Sequence, residues 1–219
     1  MGPEDVTFAV VAFTAVFFVV DPLMAVPFFL SITAGETPDR RRQIAGRAAF
    51  TALVIISTFA IAGGLIFKAF GISLGAFKVA GGLLLFLTSI DMMRAEPART
   101  RGTEEEAAEA AGGGAHGRDV AIVPMAVPML AGPGAIATVM VLMSRAAWHP
   151  VRTTAVFAAI AITFLVAWLL MRWATLAERW ISRTVANALE RVMGVLVAAI
   201  AVEFVVGGLR DLFPKLVTS

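Results

Sequence analysis

Few residues in this 219-residue chain could do chemistry, and they stand where chemistry is costly. Asp21, followed by Pro22, lies about 15 residues into an apolar stretch, roughly 22 Å along an ideal helix. A carboxylate near the middle of a bilayer costs about 2.5–3.5 kcal/mol on insertion scales, so it must face a cavity and pair, bind a cation or carry a proton. The bland alternative is that Asp21 caps the helix restarting at Pro22. Glu203 lies 11 to 13 residues into another apolar stretch and reads as a second proton carrier, with Arg210 seven residues on as a structural partner instead. Gly132-Pro133-Gly134 interrupts a third stretch. Two glycines let the backbone approach a ligand closely, and the N–H groups of a restarting helix hold an anion. Glycines also serve simple close packing, the reading for Gly63-Gly64, Gly71-x-x-x-Gly75, Gly81-Gly82 and Gly207-Gly208. Asp91 with Arg94 reads as an interfacial pair, and Lys78 as a side chain that snorkels outward. Zero cysteines and only His116 and His149 exclude thiolate metal sites and cysteine nucleophiles, so no cofactor or metal is expected. An intramembrane enzyme would need a nucleophile–base pair or metal cluster at depth; with no intramembrane His and no His-Glu-x-x-His, none is expected.

The elements that must position these residues are membrane spans. The chain is 59% hydrophobic and 16% charged, with mean hydropathy +0.85, too apolar to cover a soluble core with polar side chains. Apolar stretches long enough to cross a roughly 30 Å hydrocarbon layer fall at about 6–34, 44–67, 73–93, 120–143, 151–173 and 190–210. The expected fold is an all-α integral membrane protein of six transmembrane helices. Glu4 and Asp5 stand where a signal peptide would be basic, so the first stretch reads as a retained span. Residues 94–119 hold Glu104, Glu105, Glu106, Glu109 and Gly112-Gly113-Gly114, a hydrated linker between an N-terminal unit, 1–93, and a C-terminal unit, 120–219. Twelve of the 18 basic residues flank the first, third and fifth connections, which places those loops in the cytoplasm and both termini outside a cell membrane. The charge of +2 is thus orientation and not nucleic-acid binding. Thr37, Pro38 and Asp39 together mark a clean helix start.

Spans one and four are broken. The first contains Asp21-Pro22 and Pro27; the fourth contains Pro124, Pro128 and Gly132-Pro133-Gly134. An interior proline costs about 3 kcal/mol or more, and unwound backbone is tolerated in lipid only against protein or a water-filled cavity. Met24-Ala25-Val26-Pro27 recurs as Met125-Ala126-Val127-Pro128, an offset that sets Ser31-Ile32-Thr33 against Gly132-Pro133-Gly134. Lys78-Val79-Ala80-Gly81 matches Arg191-Val192-Met193-Gly194 in type. Each half therefore reads as a three-span repeat, and an odd number of crossings inverts the second copy. Discontinuous helices 1 and 4 in two inverted three-helix repeats are the architecture of many secondary transporters.

Asp21-Pro22-Leu23, running on to Val26-Pro27-Phe28-Phe29-Leu30-Ser31, together with the stretch from Val123 to Ile136, resembles the MarC family of six-span bacterial and archaeal membrane proteins. Ala131-Gly132-Pro133-Gly134 is the most specific part, and the resemblance covers nearly the whole chain. It implies transport of small neutral amino acids such as glycine and alanine, coupled to an ion gradient. On that reading Asp21, Pro22, Ser31, Thr33, Gly132, Pro133 and Gly134 bind substrate, and Asp21 and Glu203 couple the ion, a proton favoured over sodium by the acidic residues at depth. The partners are then the substrate, the ion and the bilayer, with a homo-oligomer left open. An exporter of drugs or metabolites could use the same scaffold, and broken helices also build channel filters.

Overall fold

The computed structural model describes residues 2–33, 35–94, 121–174 and 183–214. The expected linker 94–119 lies, apart from Arg94, outside them. The elements in order are α1 (Pro3–Val20), α2 (Pro22–Ile32), α3 (Pro38–Phe70), α4 (Leu74–Arg94), α5 (Ala121–Leu130), α6 (Pro133–Ala146), α7 (Pro150–Arg172) and α8 (Arg183–Leu212). Local sequence explains the boundaries. Thr37 accepts a hydrogen bond from the Arg40 N–H at 3.3 Å and Pro38 opens α3, while Gly71, at φ 63°, closes it by donating its N–H to Lys68 and Phe67 carbonyls. Prolines likewise open α1, α2, α6 and α7, where their missing N–H is no loss.

Among the described residues, five helical stretches are long and apolar enough to cross a membrane: Pro3–Leu30, Pro38–Phe70, Leu74–Arg94, Pro150–Arg172 and Arg191–Leu212. The expected fourth span is instead made of two pieces. α5 is a wide-turned segment whose Val123 and Val127 have extended backbone, and α6, at 14 residues, is roughly 21 Å long. Prolines at 124 and 128 explain α5, since the residue before a proline is pushed out of the helical region.

Outward faces carry Val6, Val10, Phe50, Leu65, Phe86 and Leu165, exposed apolar side chains that suit lipid. The interior is built largely of alanine, including Ala12, Ala45, Ala48, Ala52 and Ala60, with Ile56, Leu85 and Phe29 among the larger fillers. Small residues let helices approach closely where lipid offers no hydrophobic drive for association. The tightest seam joins α4 to α8. A Cβ at Gly208 would stand 2.6 Å from the Gly75 carbonyl oxygen, one at Gly82 2.8 Å from that of Ala201, and one at Gly194 3.0 Å from the Met93 amide. Residue numbers rise along α4 as they fall along α8, so the pair is antiparallel. α1 packs on α7 and α6, and α3 on α7, α5 and α6.

Candidate functional site

The site grows from two chain breaks. At the first, Asp21 adopts φ 54°, ψ 68°, a left-handed conformation that Asp tolerates better than most residues. Its N–H donates to the Phe17 carbonyl at 2.9 Å, closing α1. Its carbonyl accepts from the Ala25 N–H and its Oδ1 from the Met24 N–H, both at 3.3 Å, opening α2. One residue thus caps two helices at 3% exposure, and Pro22 behind it needs no acceptor. The capping role weighed from the sequence is real, whatever else the carboxylate does.

At the second break Gly132 precedes Pro133, and α6 restarts. Pro133 has no N–H, so Gly134 and Ala135 present the leading N–H groups of α6, which no intrahelical carbonyl satisfies. A Cβ on Gly134 would lie 2.6 Å from Leu85 Cδ2 and 3.6 Å from Val19 Cγ1. Val19 stands two residues before Asp21, so the two breaks meet. Between them is a cavity of about 20 Å³ lined by Val19, Leu85, Thr88, Met129 and Gly132-Pro133-Gly134. A water needs about 10–15 Å³ on this scale, so the cavity has room for a water and not for an amino acid. Thr88, on the cavity wall, donates its hydroxyl to the Leu84 carbonyl of its own helix at 3.0 Å. The N-terminal turn of α6, whose N–H groups favour an anion, and the Thr88 side chain therefore line one cavity.

Other expected site residues fall elsewhere. Thr33 is buried, but its hydroxyl donates to the Phe29 carbonyl at 2.7 Å, and its carbonyl accepts from Arg41 Nε at 3.1 Å. It stands twelve residues beyond Asp21, roughly 18 Å of helical rise away at the end of α2. Ser31 is the next-to-last residue of α2. The four-residue match explains the displacement: it sits just after the first break and just before the second, so its offset sets Asp21 beside Ile122 and the extended Val123, and Gly132 beside the end of α2. Sequence correspondence and break correspondence are different alignments.

Glu203 corrects the expectation of burial. The inner stripe of α8 is Gly194, Val197, Ala201, Phe204 and Gly208; Glu203 lies about 160° from Ala201 around the helix and is exposed, without a partner among the described residues. The seven-residue step to Arg210 does not pair them. Lys78 is corrected in the other direction: it is 7% exposed and forms an ion pair with Asp211 across the α4–α8 seam rather than snorkelling outward. Arg152 of α7 ion-pairs with Glu4 at 3.4 Å and Asp5 at 3.1 Å, tying α7 to the start of α1. Sequence reasoning missed Thr88, whose signal was the Thr88-Ser89 pair closing an apolar run of α4 from Val79 to Leu87. It also missed Thr163, fully buried on α7 with a hydroxyl that finds no partner among the described residues. No group of three or more metal-ligating side chains occurs among the described residues.

A sequence profile described as MarC family integral membrane protein matches residues 6–213. The chain belongs to the MarC family. Similar MarC-type proteins carry the name UPF0056 membrane protein: one from Methanocaldococcus jannaschii is 36% identical over 94% of this chain and 98% of its own. One from Aquifex aeolicus is 35% identical over 92% of each, and one from Escherichia coli K12 is 31% identical over 93% of each. Those names state a membrane protein and no substrate. No solved structure matches.

Proposed function

We propose that this MarC family protein is a secondary active transporter of small neutral amino acids, glycine or alanine in type, working by alternating access with a proton as the coupling ion. It would sit in the cell membrane with both termini outside, as six spans in two inverted three-helix repeats, α5 and α6 together making the fourth. The observation that carries the reading is the meeting of two chain breaks at one small cavity, lined by the first turn of α6 and by Val19, two residues before Asp21. Discontinuous helices in matching spans are where such proteins hold a zwitterion, carboxylate to the helix N-terminus and ammonium to free oxygens. The lining carries no charged group and little room, which favours a substrate without a large side chain. Asp21, buried at the first break, is the residue for coupling; Glu203 faces outward and is not assigned to the pathway. One proton supplies about 1.4 kcal/mol per pH unit, tenfold accumulation, plus roughly 2.3 kcal/mol per 100 mV.

Radiolabelled glycine uptake into proteoliposomes under an imposed pH gradient tests the proposal. Uphill accumulation that collapses with a protonophore is expected and also separates a carrier from a channel, which cannot accumulate. Wild-type vesicles that take up neither glycine nor alanine above empty liposomes would end it.

A further inference from the structure

One wall of the cavity between the breaks is held more firmly than the rest. Leu85, buried on α4, lies against the first turn of α6. Its Cδ2 stands 2.6 Å and its Cγ 3.4 Å from where a Cβ on Gly134 would be, so the end of this side chain fills the dent that the glycine leaves. About one turn away along each helix the fit is reversed: Gly81 of α4 receives the methyl of Ala137 of α6, 2.6 Å from where its own Cβ would be. Large faces small in both rows, which fixes α4 against α6 in one register. Three residues before Leu85, Gly82 sets α4 backbone against α8 backbone, a Cβ there standing 2.8 Å from the Ala201 carbonyl oxygen. The backbone that carries Leu85 therefore cannot retreat from α6 without parting the α4–α8 seam.

We propose that Leu85 sets the largest side chain the site accepts, because its isobutyl group stands in the space that a bulkier substituent on the solute would need. The inference rests on the amino acid transport proposed above and names the residue that confines it to small substrates. A carboxylate held by the Gly134 and Ala135 N–H groups has its α-carbon one bond from the carboxyl carbon, so whatever that carbon carries is brought to the first turn of α6, where Leu85 lies. Val19 borders the same point, 3.6 Å from a Cβ at 134, but α1 ends one residue later at the Asp21 break, so Val19 can withdraw when that break turns. Leu85 cannot. Replacing leucine by alanine removes Cγ, Cδ1 and Cδ2, three carbons, which is the difference between glycine and valine. The wall is apolar apart from Thr88, so it discriminates by volume, at about 10- to 200-fold per methylene.

The test is the ratio of initial glycine to valine uptake, each radiolabelled and at the same low concentration, in proteoliposomes under an imposed pH gradient. Loss of folded protein scales both substrates together, so the ratio reports the wall and not stability. Leu85→Ala should lower the ratio about 10- to 200-fold. Leu85→Val should lower it less, and carries the test where the alanine variant does not fold. Leu85→Met, close in volume, should keep the wild-type ratio. Ile160→Ala, a truncation of the same size in the α7 core and outside the cavity lining, should keep it too, whatever it does to yield. Wild-type glycine uptake with a ratio unchanged or raised in Leu85→Ala and Leu85→Val, a wild type that takes up valine as fast as glycine, or an equal fall in Ile160→Ala overturns this inference alone. Wild-type vesicles that take up no amino acid overturn it together with the function on which it rests.

Discussion

Asp21 can be asked separately what it does for the fold and what it does for coupling. It closes α1, opens α2 with its side chain and holds a left-handed backbone. Asparagine ranks with aspartate as an N-cap and tolerates the same conformation, so Asp21→Asn should leave stability within about 0.5 kcal/mol. Glycine keeps most of an N-cap's worth and favours φ 54°, so Asp21→Gly should also stay close to wild type. Alanine loses both: about 1 kcal/mol for the cap and about 1 kcal/mol for a Cβ in left-handed backbone. At 2–4 °C per kcal/mol for a chain of this size, Asp21→Ala should melt about 4–8 °C below wild type. The assay is thermal unfolding in detergent followed by the intrinsic fluorescence of the four tryptophans. An alanine variant as stable as the asparagine one would refute the double-cap reasoning. Because asparagine preserves the cap, its effect on uptake isolates the charge: accumulation driven by the pH gradient should vanish in Asp21→Asn, and normal accumulation would remove Asp21 from coupling.

Three further outcomes follow from packing. Gly208→Ala drives a Cβ to 2.6 Å from the Gly75 carbonyl and should lower the melting temperature by about 2–12 °C, the effect of 1–3 kcal/mol of overpacking, whereas Gly64→Ala, with nothing within 4 Å, should raise it slightly through helix propensity. Asp211→Ala strands the buried Lys78 and should cost about 1–3 kcal/mol, less than a fully buried pair because Asp211 is 42% exposed; Lys78→Met combined with Asp211→Ala should recover most of it in the same melting assay. Val19→Cys with Gly134→Cys places a sulfur near the present Val19 Cγ1, 3.6 Å from a Cβ at 134, so oxidation should form a disulfide that holds the cavity shut and stops uptake reversibly; unchanged uptake in the oxidised protein would show that the two breaks need not part.

Helix content, the places of both breaks and the Thr37 cap were legible because each depends on local chemistry: a run of apolar residues, a proline's missing N–H, a hydroxyl next to free amides. Helix rotation was not. Glu203 was taken as buried from its depth alone, but depth is set by sequence distance while facing is set by which stripe of α8 meets α4, and the glycines that decide this read equally well as packing or ligand positions. Lys78 failed for the same reason: its carboxylate partner lies 133 residues away on a helix whose register against α4 is fixed by Gly75 and Gly208. The pairing of Ser31 and Thr33 with Gly132 and Gly134 failed because a four-residue identity aligned sequence and not the points where the helix stops.

Any solute larger than water requires the cavity to open, and the packing restricts how. The α4–α8 seam joins one helix from each half, with backbone against backbone at Gly75 and Gly208 and an ion pair at one end, so sliding or parting it exposes buried backbone and strands Lys78. Leu85 and Thr88 on the cavity wall belong to that frame. Val19 and Met129, opposite them, belong to elements that already end or depart from helical geometry, at Asp21 in one case and at Val123 and Val127 in the other. Changing φ and ψ at a residue that makes no regular helical bond costs less than breaking a packed helix pair. The cheap route to opening is therefore rotation of α1–α2 and α5–α6 about their own breaks against a fixed α4–α8 frame.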